Sequence, residues 1–307
     1  LIRAYVGVTD KDWYELLASI PGIDEVNFWQ PGGNRLFSAL VPGELFLFKL
    51  HSPENFIVGG GFFSHSTLLQ MSMVWQAFGE KNGARSLAEM RNRIERLRKR
   101  IGSRYDDFMI GNILLTQPFF FPREAWIPVP ADWKSNIVSG RRYDLTIEPG
   151  RSLWNDIQAR VVGGWASGQI NETVPRYGDP VLIRPRLGQG SFRIQVTDAY
   201  SRRCAVTGER TLPVLEAAHI RPYSEGGIHE VKNGILFRSD IHTLFDQGYV
   251  TVSPDFRFEV SRRIREDFEN GRDYYRLAGT SLILPENPSL QPNDPTLRWH
   301  NEVKFRG

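Results

Sequence analysis

The chain has 307 residues, with 38 Lys and Arg against 35 Asp and Glu and a net charge of only +3. Bulk charge therefore does not mark a nucleic-acid binder, and any such role has to come from local basic patches. The length suits two domains, each with its own core. The single cysteine, Cys204, excludes an intramolecular disulfide and a four-cysteine zinc knuckle, which fits a cytoplasmic protein. No apolar run is long enough to span a bilayer, and Leu1, Ile2 and Arg3 do not begin a secretory signal, so no membrane partner is expected.

In chain order, Ala4 to Val8 predicts a short apolar strand. Thr9 followed by Asp12 predicts the start of a helix through Trp13, Leu16 and Leu17. After Pro21 and Gly22 the segment VNFWQPGG reads as an aromatic-bearing loop. Glu44 to Leu50 and Phe56 to Phe63 then predict a strand pair around the SPEN turn, with Phe46, Phe48, Phe62 and Phe63 in its core. Leu87, Met90, Ile94, Leu97 and Ile101 recur at steps of three and four, which predicts an amphipathic helix. Its other face carries Arg91, Arg93, Arg96, Arg98, Lys99 and Arg100, a candidate phosphate contact or simply a solvated face. Ile110 to Leu115 adds a strand, and the Pro-rich TQPFFFPREAWIPVPADW predicts an edge or closing segment.

This order of strand, helix, aromatic loop, Pro-Gly-Glu turn, Phe-rich strand and Gly-rich return strand resembles the PUA superfamily, including its EVE-type readers of modified bases. The resemblance implies a mixed α and β barrel-like domain over residues 1–150. It also implies that a flipped-out base would sit in an aromatic pocket. The residues matching that pocket are Phe28, Trp29 and Gln30, with Asn34 and Arg35 close by. Aromatic residues near a strand end also serve as core, and Trp29 reads either way.

Leu153 to Val162 predicts a connecting helix, and residues 163–178 a hinge or surface loop before a second domain over 179–307. There, Val214 to Ile220 predicts a strand ended by Pro222, and Gly226 and Gly227 a turn. Gly234 to Phe237 predicts a second strand. Ser239 is positioned to cap a helix carrying Ile241, Leu244 and Phe245, with Gly248 as its stop. A strand, strand, helix unit would bring His219, Asn233 and His242 together.

The stretch EAAHIRPYSEGGIHEVKNGILFRSDIHTLFD, with its flanks, resembles the ββα-metal fold of the HNH endonucleases, so the fold class expected for the whole chain is α+β. By that resemblance His219 is a general base, a role that suits imidazole. Asn233 would brace the loop and hold the tautomer of His219. His242 would bind a divalent metal, Mg²⁺ or Mn²⁺, that stabilises charge on the scissile phosphate. Many relatives place a metal-binding Asp directly before the base, and here that position is Ala218. Help is then expected from Asp240, with Glu216 and Asp246 as further acids nearby and Asp246 read as supporting rather than ligating. His229 reads as solvated.

Arg184, Arg186, Arg193, Arg202 and Arg203 are candidates to position the DNA backbone, since guanidinium binds phosphate in forked geometry. Pairing with acids such as Asp198 or Glu209 is the structural alternative. Together the two resemblances imply a modification-dependent endonuclease of the restriction type. It would act on double-stranded DNA carrying a modified base, expected to be a substituted cytosine, and would form a homodimer at least on DNA. Two alternatives stay open: a sequence-specific HNH endonuclease acting on unmodified DNA, and a nucleic-acid binder whose nuclease site has decayed.

Overall fold

The computed structural model describes residues 2–99, 106–167, 178–183 and 186–307. The chain divides into two compact units, Leu1–Ser191 and Phe192–Gly307. Both are mixtures of α and β structure, as the α+β expectation requires.

The first unit is built on one sheet. Its strands are β1 (Arg3–Thr9), β2 (Glu25–Gln30), β3 (Leu45–Leu50), β4 (Phe56–Gln70), β5 (Met109–Phe120), β6 (Ile127–Pro128) and β7 (Gly140–Asp144). They pair in the order β2, β5, β4, β3, β1, β7, with β6 attached to β4. The path ends at β2 and β7, so the sheet is open and the expected barrel does not close. Of the Pro-rich segment expected to be an edge or closing segment, Thr116 to Phe120 instead complete β5, between β2 and β4, and the remainder forms only the two-residue β6.

Side-chain alternation divides the core between the two faces of this sheet. Leu45 and Leu47 of β3 join Ala4, Val6 and the helix α4 residues Leu153, Trp154 and Ile157 in one cluster. Phe46 and Phe48 join Trp13, Leu17, Val26 and Phe28 in the other. Burial on both faces explains why all six residues of β3 are buried. Helix α1 (Lys11–Ala18) supplies Trp13 and Leu17, and α4 (Gly150–Val162) covers the opposite side. Between them in sequence lie α2 (Met71–Phe78) and α3 (Leu87–Arg98).

The segment expected to be an aromatic loop is strand β2 for most of its length. Val26 and Phe28 point into the Phe-rich cluster, and Phe28 packs edge-on to Trp13 at 5.5 Å between ring centroids. The alternate residues form a buried polar layer: Asn27 Nδ2 donates to Asn82 Oδ1 and Asn112 Oδ1, each at 2.9 Å. At the start of β2, the fully buried carboxylate of Glu25 accepts from the amides of Gly190 and Ser191 at 2.8 Å each. A side chain at Gly188 would collide with this carboxylate and one at Gly190 with the Ala77 carbonyl, so glycine allows the close approach at both positions.

Helix α3 keeps the predicted stripe only in part. Met90 and Ile94 are buried, Leu97 is exposed, and Ile101 and Arg100 lie outside the described residues. Three of its arginines are engaged within the unit: Arg91 with Glu95 and the Asp106 carbonyl, Arg93 with the Gly83 carbonyl and Glu89, and Arg98 with the Pro31 carbonyl, while Arg96 and Lys99 are exposed.

In the second unit, β8 (Leu215–His219) pairs antiparallel with β9 (Gly234–Arg238), and α6 (Ser239–Asp246) follows directly. Helix α5 (Gln189–Ala199) supplies Phe192, Ile194 and Val196 to the same interior. A second pair, β10 (Val250–Val252) and β11 (Phe258–Val260), extends the fold. The buried ring of His300 stacks on Phe245 at 3.7 Å. One of its nitrogens faces the Thr251 hydroxyl and the other the Phe245 carbonyl, and burial pushes its pKa down to about 4.

Candidate active site

The site begins with register. His219, the last residue of β8, stands opposite Gly234, the first of β9. Any side chain at position 234 would collide with Phe192 and Val196. Glycine there lets α5 close on the strand pair, and Phe192 stacks on the His219 ring at 3.8 Å with an 11° interplanar angle. Burial against this ring is the main cause of a low basicity. The His219 pKa falls to about 4, with His229 and His242 adding to the effect of burial and Asp246 acting in the opposite direction.

Asn233 is buried and acts as a loop brace. Its Oδ1 accepts from the Arg221 amide at 3.0 Å, and its Nδ2 donates to the carbonyls of Arg221 and Ile228 at 2.9 Å each. All its side-chain bonds go to backbone, and none goes to His219. The expectation that Asn233 holds the His219 tautomer is therefore corrected. The atom that meets His219 Nε2, at 2.9 Å, is Nδ1 of His229. Expected to be solvated, His229 instead lies between His219 and the ring of Tyr223, which stacks on it at 5.3 Å.

His242 projects from the first turn of α6, whose start follows β9 without a loop. Its Nδ1 lies 2.7 Å from Glu216 Oε2, and its Nε2 lies 3.2 Å from Asp246 Oδ2. Glu216 comes from β8, while Asp246 shares the helix face of His242 at i+4. Burial opposes charge on this imidazole, but its bonds to Asp246 and Glu216 outweigh burial and hold the pKa above its ordinary value.

Asp240 is placed differently from its expected role beside His242. Its carboxylate takes a forked pair of hydrogen bonds from Arg238 at 2.6 and 2.7 Å and a third from Tyr274 at 3.2 Å. These bonds hold its pKa low and occupy the oxygens that a metal would need. Ala218 is fully buried, and the acid that reaches His242 from this strand is Glu216.

Among the described residues, no group of three or more His, Cys, Asp and Glu side chains is arranged to hold a metal. The donors that fit one are the two that face each other from α6, Nε2 of His242 and the carboxylate of Asp246. Glu216 would remain on Nδ1 to fix the ring, a common arrangement for ligating histidines. Two protein donors suit a hard divalent ion that keeps several waters.

Of the candidate phosphate ligands, Arg184 lies outside the described residues. Arg186 is exposed, and Arg193 and Arg203 are half-buried. Arg202 is ion-paired with Asp198 at 3.2 Å, the structural alternative foreseen for it. In the first unit, Phe28 is a core residue and is removed from the expected base pocket. Trp29 is half-buried with its indole N–H on the Asn82 carbonyl at 2.9 Å, Gln30 is half-buried, and Asn34 is exposed.

The sequence reading missed the roles of His229 and Phe192. For His229 the chemical type was visible, but its partner lies across a non-periodic loop. For Phe192 the only signal was the glycine at 234, which marks a close approach.

Comparison with known proteins matches residues 204–253 to the HNH_2 family, described as HNH endonuclease. His219, Asn233 and His242, with Glu216, His229 and Asp246, all fall inside that stretch. No curated protein matches the chain. Among solved structures, an ASCH protein from Zymomonas mobilis is similar at 11% identity over 50% of this chain and 94% of that one, with a TM-score of 0.34. A mutant of the same protein gives 11%, 50%, 96% and 0.33. The modification-dependent TagI restriction endonuclease is similar at 13% identity over 92% of this chain and 76% of that one, with a TM-score of 0.28. The likenesses to solved structures are too distant to bear on the chemistry of the site, whereas the family match falls directly on it. The second unit of this chain carries an HNH endonuclease domain.

Proposed function

We propose that the chain is a metal-dependent DNA endonuclease of the restriction type, with His219 as the general base. The observation that carries this reading is the convergence of His219, Asn233 and His242 on one strand, strand, helix unit inside the family match. In this reading His219 is neutral at pH 7, because its pKa is pushed down to about 4. It is therefore able to accept a proton from water. A pKa that low makes it a weak base in the free protein, and the negative charge of a bound phosphate would raise it toward the working pH.

Asn233 keeps the loop after β8 in place through its three backbone bonds. His242 and Asp246 would hold the divalent metal, with Glu216 fixing the imidazole. When bound, Mg²⁺ or Mn²⁺ would supply charge stabilisation to the scissile phosphate and the leaving oxygen. Arg186, Arg193 and Arg203 are the arginines best kept as candidates for the DNA backbone.

The first unit is proposed to read a modified base, expected to be a substituted cytosine. Support comes from its order of elements, which resembles the PUA superfamily, and from Trp29 beside the buried Asn27, Asn82 and Asn112 layer. With Phe28 in the core, the base-reading candidates are Trp29, Gln30 and Asn34. One such site cuts one strand, so a double-strand break would use two copies of the chain.

The test is cleavage with Mg²⁺ or Mn²⁺ of matched duplexes carrying cytosine, 5-methylcytosine, 5-hydroxymethylcytosine or its glucosylated form. Cutting confined to modified duplexes is expected. Equal cutting of all four would remove the reader, and no cutting with either metal would remove the nuclease.

A further inference from the structure

We propose that His229 is a positioning residue for His219: it accepts the Nε2–H of His219 and so leaves Nδ1 as the nitrogen that takes the proton from water. The inference rests on the reading of His219 as general base and adds to it the partner that selects the reactive nitrogen.

The argument starts from the 2.9 Å contact between His219 Nε2 and His229 Nδ1. A hydrogen bond between two neutral imidazoles has one donor, and its direction decides what remains on each ring. If His229 donated, Nε2 of His219 would be consumed as an acceptor and Nδ1 would carry the proton, leaving no lone pair for catalysis. If His219 donates, Nδ1 is free to act. The contact is thus compatible with a catalytic base in one direction only.

The surroundings hold this pair in place. Phe192 stacks on His219 from one side, and the His229 ring meets His219 nearly edge-on at 72°. Tyr223 stacks on His229 with a 10° interplanar angle. The residue directly before His229, Ile228, has its carbonyl bound by Asn233 Nδ2. Asn233 therefore reaches the base indirectly, by fixing the loop that presents His229.

In the step itself, an O–H bond of water breaks and its proton goes to Nδ1 of His219. The oxygen electron pair forms the new bond to phosphorus. His219 becomes an imidazolium with both nitrogens protonated, and its Nε2–H stays donated to His229, which keeps the ring oriented without taking the proton. This is the arrangement of a base oriented by a third group, here with a neutral imidazole as the orienter. The charged or titratable groups acting on His219 are His229, His242 and Asp246, and of these only Asp246 favours the imidazolium.

The test uses the full chain in two measurements. Long-range ¹H–¹⁵N spectra of histidine-labelled protein, recorded without metal or DNA, should show His219 as the Nε2–H tautomer, with mixed tautomers in His229→Phe. The single-turnover cleavage rate of His229→Phe, which keeps an aromatic ring next to Tyr223, should fall by about 10- to 100-fold at unchanged DNA affinity. His229→Asn, which restores an acceptor, should recover most of that loss. A wild-type His219 protonated on Nδ1, or an undiminished rate in His229→Phe, would overturn the proposal. Failure of the underlying reading would look different: His219→Ala would still cleave, whatever the tautomer spectra showed.

Discussion

Two strands that place polar side chains in buried or half-buried surroundings use them for opposite ends. On β2, Glu25 and Asn27 are fully buried and are held by other protein groups: two amides and Lys81 for Glu25, and two asparagines that accept from Nδ2 of Asn27, whose Oδ1 has no partner among the described residues. On β8, Glu216 and His219 are half-buried, and each meets one nitrogen of an imidazole. Polar groups bonded within a buried layer hold a fold together, whereas acids and imidazoles left partly accessible can exchange protons or take a metal. The difference predicts where substitutions should destroy chemistry and where they should destroy structure.

The largest effect is expected at His219. His219→Ala should lower cleavage by about 10²- to 10⁴-fold, the usual worth of a positioned general base, while DNA binding measured by gel shift stays intact. Retained cleavage would place the base elsewhere. The matching experiment on β2 is Phe28→Ala. It should lower the stability of the first unit by about 3–5 kcal/mol through the cavity left against Trp13, Phe46 and Phe48. Denaturant unfolding measures this directly, and a loss below about 1 kcal/mol would return Phe28 to the pocket.

A smaller effect is expected at Glu216. Glu216→Gln keeps the shape but removes the charge that Nδ1 of His242 faces, so half-maximal activation should need about 10- to 100-fold more Mg²⁺ or Mn²⁺. Asp240→Asn should shift that midpoint far less, because its carboxylate is already held by Arg238 and Tyr274. A reversed order would restore Asp240 as the ligand.

These contrasts also mark what could be read without a structure. The candidate site is local: three elements in one short stretch, each with ordinary turn signals, so order and spacing point to one strand, strand, helix unit carrying His219, Asn233 and His242. The first unit depends on pairing between distant segments. Glu25, Val26, Asn27 and Phe28 alternate polar and apolar, which is the strand signature, yet the following Pro-Gly-Gly favours a loop reading. Only the Asn82 and Asn112 side chains, far away in sequence, make a buried asparagine on β2 acceptable. The open sheet was hidden for a similar reason, since the pairing of β2 with β5 and of β7 with β1 joins segments far apart in sequence.

Acid pH offers the gentlest way to sharpen the comparison. His219 and His300 both have pKa values pushed down to about 4, chiefly by burial, against an ordinary 6.5. Between those values the unfolded chain binds protons that the folded second unit refuses. Its stability should therefore be full above about pH 6.5 and fall progressively as the pH drops toward 4, then level off with respect to these two groups. His242 contributes in a different window: its raised pKa adds stability as the pH falls toward 6.5, and that contribution is already complete below 6.5. His242→Asn should accordingly lose the gain in stability just above pH 6.5 while keeping the decline below it, measured by denaturant midpoints at stepped pH. A flat profile in both would mean that His219 and His300 bind protons as readily in the folded as in the unfolded chain, and the low basicity assigned to His219 would fall with that result.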